Sequence, residues 1–155
     1  MKKIDLGQTL RLLGNAGVIV GILLLVYELD QNRQMMEAQT RNAIAETIVT
    51  LLTLEASTPE ITEMQVKRAA GEPLTPAEEF IFRRLQQAYW RYRENVYYQY
   101  RRGLFEESEY LGQREVWLRI LNTDEMSRSV WCGRRSEQSA AFTAEIDELM
   151  ERPCD

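Results

Sequence analysis

Histidine is absent from this 155-residue chain. Without histidine the chain cannot build a Ser-His-Asp triad, a His-ligated zinc, haem or copper site, or a carboxylate–histidine di-iron bundle. The sequence also lacks a D-x-D-x-D-G calcium loop, a G-x-G-x-x-G fingerprint and a P-loop. We therefore predict no catalytic, cofactor-binding or metal-binding residues. An enzyme would have to depend on carboxylates such as Glu94, or on Cys132 beside Arg134 and Arg135.

Cysteine is also scarce, and negative charge exceeds positive charge. The two cysteines, Cys132 and Cys154, could pair in an oxidising compartment, but they are too few to indicate a disulfide scaffold. Acidic residues outnumber lysine and arginine by 24 to 19, which gives a net charge of −5. This balance argues against general nucleic-acid binding, so we predict no nucleic-acid partner.

Charge is missing altogether from the sixteen residues between Arg11 and Glu28, which read LLGNAGVIVGILLLVY. As a helix this run is ~24 Å long, and apolar residues on both sides extend it toward the ~30 Å of a bilayer core. Asp5 is a predicted N-cap, so the helix is expected to begin at Leu6. We predict a transmembrane anchor in residues 1–29.

Two other interpretations of this apolar run stay open. Lys2 and Lys3 resemble the basic start of a signal peptide, although no small-x-small cleavage site follows. A buried core helix is the second alternative. The orientation is open as well, because Lys2, Lys3 and Arg11 favour a cytoplasmic N-terminus, whereas Arg33 and Arg41 favour the opposite.

Small residues share one face of the predicted membrane helix. They would allow a second helix to approach closely, which is how membrane helices associate without a hydrophobic driving force. An asparagine in the span adds a polar group that prefers a partner in lipid. We predict helix packing, with a second copy or with a different protein, through Gly7, Gly14, Asn15, Gly17 and Gly21.

The rest of the chain carries the start and stop signals of helices. Residues 22–57 contain no proline or glycine, so the membrane helix is expected to continue into a long helix with a polar neck. Thr75-Pro76-Ala77-Glu78 combines Pro at N1 with a capping box and predicts a helix that ends at Arg102. Gly103 then takes the position after the C-cap. Ser136 is predicted to open the last helix.

No segment alternates in the manner of a strand. The predicted fold class is all-α, with an N-terminal transmembrane helix that continues into a long helix and a soluble bundle of about five helices. The predicted domains are the transmembrane anchor at 1–29, a helical extension or neck at 30–57 and the helical bundle at 58–155. An apolar stripe on the extension requires a partner, and it comprises Ile44, Ala45, Ile48, Leu51 and Leu52.

Segment 80–102 is unusual, with eight aromatic residues and six arginines. It fits the central helix of the bundle, with arginines stacked on rings and paired with acids, or an oligomer interface, or a site for single-stranded nucleic acid or an anionic ligand. In the first interpretation its core face is Ile81, Leu85, Ala88, Tyr92, Val96 and Tyr100. In the second interpretation the interface also includes two residues of the neck. The predicted interface residues are Arg33, Met36, Trp90, Tyr97 and Tyr98.

A series of motifs runs through nearly the whole chain in a familiar order. They are the glycine-rich span, Gln31-Asn32-Arg33-Gln34, Leu74-Thr75-Pro76-Ala77-Glu78, Arg93-Glu94-Asn95-Val96-Tyr97-Tyr98-Gln99-Tyr100, Gly103-Leu104, Trp117, Trp131, and the segment from Phe142 to Leu149. This order resembles an uncharacterised family of small bacterial membrane proteins. The resemblance implies one N-terminal span and a helical domain, and it supplies no activity and no catalytic residues.

Family members often have an acidic N-terminus and a basic neck, which implies a bundle in the cytoplasm. This chain departs from that pattern at Lys2, Lys3, Glu28 and Asp30. The expected location is the bacterial inner membrane, as a single-pass protein with its helical domain in the cytoplasm. The expected partners are membrane lipid and either further copies of the chain or a larger membrane complex, with no cofactors.

These observations favour a non-catalytic protein that self-assembles through its membrane helix and helical extension. A ring or pore is one form of such an assembly, although the span has few polar positions to line a pore. The alternative is an accessory or structural subunit that docks on a larger membrane complex. A carboxylate-based enzyme is the third hypothesis.

Overall fold

The computed structural model describes residues 6–154, apart from the side chains of Leu6, Gln8 and Thr9. This part of the chain is all-α and contains no strand, as predicted. A single 3-10 turn, Arg135–Glu137, joins the last two helices. The helices are α1 (Leu6–Ser57), α2 (Pro59–Ala69), α3 (Pro76–Arg101), α4 (Glu107–Thr123), α5 (Glu125–Arg134) and α6 (Ala140–Leu149).

The chain divides into two compact units, with the boundary after Gln39. The predicted extension, residues 30–57, is therefore split between them. Its first part belongs to the N-terminal unit, and its second part, residues 40–57, belongs to the unit that contains α2 to α6. We call this second unit the bundle.

The N-terminal unit is the first part of α1, which the structure describes from Leu6 onward. The predicted cap, Asp5, lies outside the described residues, so the predicted helix start stays a prediction. Among the described residues α1 is the one helix that is long and apolar enough to cross a membrane. None of its most apolar 18-residue window is buried. This exposure contradicts the interpretation as a buried core helix. A signal sequence has the same length and apolar composition, so that alternative stays open.

The polar neck of α1, residues 27–37, is stabilised by side-chain hydrogen bonds between residues four positions apart. The Gln31 amide donates to the Tyr27 hydroxyl at 2.7 Å, and the Gln34 amide donates to Asp30 at 2.8 Å. Arg33 pairs with Glu37 at 2.9 Å. Such pairs each add a few tenths of a kcal/mol to an exposed helix, so the helix continues through a segment that has no apolar face.

The last part of α1 packs in the bundle core. Ile44 is buried there, and Ile48 and Leu51 pack against the same cluster. Arg41 adds an ion pair with Glu109 at the start of α4, at 2.6 Å. The apolar stripe predicted on the extension thus finds its partner within the same chain at Ile44, Ile48 and Leu51, whereas Ala45 and Leu52 are exposed.

The C-terminal end of α3 follows its local sequence to within one residue. Gly103 follows the α3 C-cap with φ 68°, and the Leu104 N–H donates to the Gln99 carbonyl at 3.0 Å. This is a Schellman motif, in which glycine occupies the left-handed position. The predicted end at Arg102 is off by one residue, since Arg102 is the cap.

At the start of α3 the predicted capping box is present. The Thr75 side chain accepts from the Glu78 N–H, and Glu78 accepts from the Thr75 N–H at 2.7 Å. Glu78 also accepts from the Lys67 ammonium at the end of α2, at 2.5 Å. The hydrogen bond from Lys67, followed by those from Thr75, lowers the pKa of Glu78 to about 2.

This lowered pKa predicts a pH dependence of stability. Because the folded-state pKa lies below the ordinary value, the contribution of Glu78 is complete above about pH 4.5 and is lost as the pH falls toward about 2. We expect Glu78→Gln to destabilise the bundle at pH 7 and to have a much smaller effect at pH 2. Unfolding of the full-length protein in detergent, followed by circular dichroism at both pH values, measures this.

The matched control is Glu79→Gln, which removes the neighbouring carboxylate outside the capping box. Glu79 only faces Arg83 at 3.7 Å on the exposed surface, where an ion pair contributes little. A pH-dependent loss of the same size in both variants would contradict the role assigned to Glu78.

The core surrounds α3 on more sides than the sequence indicated. Leu85, Tyr92 and Val96 are buried as predicted, and the other three predicted core residues are half-buried. Five further residues off that face are also buried, and they are Phe82, Gln86, Trp90, Arg93 and Tyr97. Helix α3 contacts α2, α4 and α5, so a single amphipathic face underestimates its buried surface.

The last helix begins later than predicted. Ser136 lies within the 3-10 turn, and Ser139 is the N-cap of α6. Thr143 on α6 donates to the carbonyl of Arg135 at 3.0 Å, which holds the turn against the helix. Phe142 and Ile146 are buried on the inner face of α6.

A disulfide joins Cys132 on α5 to Cys154 in the segment after α6. Their Cα atoms are 5.4 Å apart, a normal separation for a disulfide, and 22 positions of sequence separate the two residues. Both cysteines are half-buried against the aromatic core. The bond therefore closes a loop that contains the whole of α6.

Candidate functional site

The predicted helix-packing residues lie on an uncovered surface of α1. A methyl group added at Gly14, Gly17 or Gly21 would meet no heavy atom within 4 Å. Gly7 and Asn15 are also exposed, and the Asn15 side chain makes no hydrogen bond to another described residue. Nothing within the described chain therefore requires Gly14, Gly17 or Gly21 to be small.

The neck contributes two of the predicted interface residues. Arg33 is exposed and pairs with Glu37, and Met36 is 45% exposed. Neither side chain packs in the core clusters of the described chain. Their assignment to an interface stays a prediction.

Trp90 and Tyr97 were also predicted as interface residues, and that assignment is wrong. Trp90 is 2% exposed and Tyr97 is 5% exposed within one chain. The Trp90 ring centre lies 4.3 Å from that of Trp131, and the Tyr97 ring centre lies 5.4 Å from that of Phe142. Because these rings fill the core, they leave almost no surface for a partner.

Arg93 supports the interpretation of α3 as the central helix of the bundle. The guanidinium is 6% exposed and lies 4.4 Å from the Trp90 ring centre and 5.7 Å from that of Tyr89. It pairs with no carboxylate among the described residues, and its Nη1 has no hydrogen-bond partner there. Burial lowers the pKa of Arg93 to about 10. The Arg93 guanidinium is therefore still a cation at neutral pH, and the aromatic faces beside it stabilise its charge.

The fifth predicted interface residue, Tyr98, lies in a groove on the bundle surface. The groove has a volume of about 690 Å³ and lies between α3 and the start of α6. Its α3 side presents residues spaced by four, three and four positions, which places them on one helix face. We call it the arginine groove, and its lining is Arg91, Glu94, Asn95, Tyr97, Tyr98, Arg101, Arg102, Ser139 and Ala141.

The charge of the arginine groove is positive in a chain whose net charge is −5. Three arginines line it against one glutamate, Glu94. Glu94 pairs with Arg91 at 2.8 Å and also accepts from the backbone N–H of Ser139. Neither Arg101 nor Arg102 pairs with a carboxylate of the described chain.

Aromatic rings and the helix terminus account for the remaining contacts of these two arginines. Arg101 donates to the Tyr97 hydroxyl at 3.3 Å, and the Arg102 guanidinium lies 5.1 Å from the Tyr98 ring centre. Both stand at the C-terminal end of α3, whose partial negative charge favours cations. The sequence signal that could have identified this groove is the spacing of Arg91, Asn95, Tyr98 and Arg102, which places them on one helix face.

Within the part of the chain that the structure describes, no group of three or more acidic or cysteine side chains is placed to hold a metal ion. Comparisons with known protein families, with curated proteins and with solved structures find no match to this chain. The functional interpretation therefore rests on the residues and surfaces described above.

Proposed function

We propose that this protein is a non-catalytic, single-span membrane protein of the bacterial inner membrane that assembles into a homo-oligomer through its membrane helix. The observation that carries this proposal is the full exposure of the apolar run of α1 together with its glycine face. Leaving so many large apolar side chains in water is unfavourable, so lipid and a second helix are their natural surroundings.

The glycine face gives the proposed assembly its contact surface. Gly14, Gly17 and Gly21 are separated by three and four positions, so they lie along one side of the helix. A second helix could approach the backbone there, because no side chain of the described residues lies within 4 Å of the Cβ positions built on these glycines. Asn15 would then find a hydrogen-bond partner on the neighbouring helix.

The helical extension contributes less surface than its sequence indicated. The face that carries Ile44 packs in the bundle of the same chain. Another face remains available, since Val49 is 58% exposed and Leu52 is 52% exposed. We therefore assign the main contact to the membrane helix and a secondary contact to this face.

The disulfide bears on the orientation of the protein. Disulfides persist in oxidising compartments and are rare in the cytoplasm. We propose that the bundle lies outside the cytoplasm, which is opposite to the orientation that the family resemblance implies. Lys2, Lys3 and Arg11 would then stand on the cytoplasmic side, where positive residues are favoured. Alkaline phosphatase fused after Asp155 should be active if this orientation is correct and inactive if it is reversed.

Native mass spectrometry of the full-length protein, extracted from its own membrane in mild detergent, tests the assembly. We expect the wild type to give one homo-oligomer of defined copy number. The double variant Gly14→Leu/Gly21→Leu should give monomers, because two branched side chains on the contact face prevent close approach. The matched control is Ala16→Leu, a small-to-large change on another side of the helix, which should leave the oligomer intact.

Two results would contradict the proposal. A monomeric wild type would exclude stable self-assembly. A complex with other polypeptides, lost in the glycine variant, would identify the protein as an accessory subunit, and the masses of those polypeptides would identify the larger complex.

A further inference from the structure

We propose that the arginine groove of the bundle binds a phosphate-bearing ligand that extends along α3. This inference is independent of the proposed assembly, because every residue that lines the groove belongs to the bundle. It develops the interpretation of segment 80–102 as a site for an anionic ligand. The burial of Trp90 and Tyr97 does not exclude such a site.

The dimensions of the groove indicate an extended ligand. Arg91 and Arg102 are eleven positions apart on α3, which corresponds to ~16 Å along the helix axis. A single small anion could contact only one of these two arginines at a time. The groove volume of about 690 Å³ lies within the usual range for ligand sites.

The chemistry of the groove indicates phosphate. Arg101 and Arg102 are exposed, carry no carboxylate partner in the described chain and present forked N–H donors that match phosphate oxygens. A phosphate offers more negative charge and more acceptor oxygens than a carboxylate does. Tyr98, which is 51% exposed, lies between Arg91 and Arg102 and offers a ring face to the uncharged part of the ligand.

The groove also places polar groups between its cationic ends. Asn95 lies one turn after Arg91, and Ser139 at the start of α6 faces them from the other side. The first turn of α6 contains no acidic residue, so its N-terminal partial charge adds to the positive potential. Glu94 is the one acidic residue among those lining the groove, and it should weaken the binding of an anion.

The test uses the full-length protein in neutral detergent, with a linear polyphosphate long enough to cover the groove as the probe. Isothermal titration calorimetry should detect binding that weakens as the salt concentration rises. We expect Arg101→Gln/Arg102→Gln to weaken binding by roughly tenfold or more, which is the scale of two lost charge-assisted contacts. Glu94→Gln should strengthen binding severalfold, because it removes the negative charge and keeps the acceptor for the Ser139 N–H.

The chain supplies a matched control on the same helix. Arg83→Gln/Arg84→Gln removes two adjacent arginines and the same total charge, but neither residue lines the groove. This variant should bind polyphosphate nearly as well as the wild type. Equal losses in the two double variants would show a general charge effect and would overturn the assignment of the groove.

Two more arms complete the experiment. Polyglutamate tests the choice of phosphate over carboxylate, and equal binding of both polymers would overturn that choice, as would the absence of polyphosphate binding. Nanodiscs with and without phosphatidylglycerol distinguish the source of the phosphate. If the lipid competes with polyphosphate in the wild type but not in the Arg101→Gln/Arg102→Gln variant, the phosphate comes from a lipid headgroup; if it does not compete, the ligand is soluble.

Discussion

Phe142→Ala is expected to lower the free energy of unfolding of the bundle by about 3–5 kcal/mol, which is the usual cost of removing a buried ring. Phe142 is 0% exposed and stands where three other helices meet. Its ring centre lies 5.4 Å from that of Tyr97 on α3, 6.5 Å from that of Trp117 on α4 and 5.8 Å from that of Trp131 on α5. Because domains are stable by only about 5–15 kcal/mol, the variant is expected to be poorly folded.

Near-ultraviolet circular dichroism and tryptophan fluorescence of the full-length protein in detergent measure this effect, because the tryptophans that surround Phe142 report on the same core. The matched control is Phe80→Ala, which removes the same atoms from a ring that is 59% exposed on α3. Surface substitutions of this kind usually change stability by less than about 0.5 kcal/mol. Similar losses in the two variants would contradict the assignment of the aromatic core.

The parts of the fold that the sequence predicts best are those encoded by adjacent residues. The capping box at Thr75 and the glycine after α3 each depend on one turn of helix, so four or five residues determine them. The start of α6 was misplaced for the opposite reason. Ser136 is an acceptable cap by itself, but the contact between Thr143 and the Arg135 carbonyl selects a 3-10 turn there.

The buried surface of α3 could not be predicted from its own periodicity. A single face was expected, whereas neighbours on several sides bury Phe82, Trp90 and Tyr97 as well. How many helices surround a given helix depends on tertiary packing, and no local pattern encodes it. The same limit explains the error at Trp90 and Tyr97, because aromatic and arginine enrichment is common to cores and interfaces.

The two candidate functional surfaces also differ in how far the sequence predicts them. The glycine face was predicted because membrane-helix contacts follow a simple spacing rule. The arginine groove needed the structure, because its second wall comes from Ser139 and Ala141 at the start of α6. The sequence does contain the row of Arg91, Asn95, Tyr98 and Arg102 on one face of α3, which a search for arginines at helical spacing would find.

Cys154→Ser is expected to lower the free energy of unfolding by about 3 kcal/mol, the entropic effect of opening a loop of this length. The disulfide joins residues 22 positions apart and ties the segment after α6 to α5. Two other contacts also hold α6 in place, because Trp131 on α5 donates to Asp147 at 2.9 Å and Arg135 in the 3-10 turn pairs with Asp147 at 2.6 Å. The variant should therefore keep its helices but unfold at lower denaturant concentration.

Single and double variants distinguish the stability contributed by the disulfide bond from the stability contributed by the packing of the two cysteine side chains. Cys132→Ser, Cys154→Ser and the double variant should be equally destabilised, because each removes the same bond and the effects of coupled residues do not add. A reductant should destabilise the wild type to the same extent and leave the variants unchanged. Losses that add in the double variant would mean that the two side chains stabilise the core separately, and the bond would then carry little of the stability.

The same pair of residues connects stability with location. In protein alkylated directly in its native membrane, Cys132 and Cys154 should react with a maleimide only after reduction, since an oxidising compartment keeps the bond closed. Free thiols without reductant would place the bundle in a reducing compartment and reverse the proposed orientation. If the bond is closed, α6, which forms one wall of the arginine groove, is held in place by a covalent link on the oxidising side of the membrane.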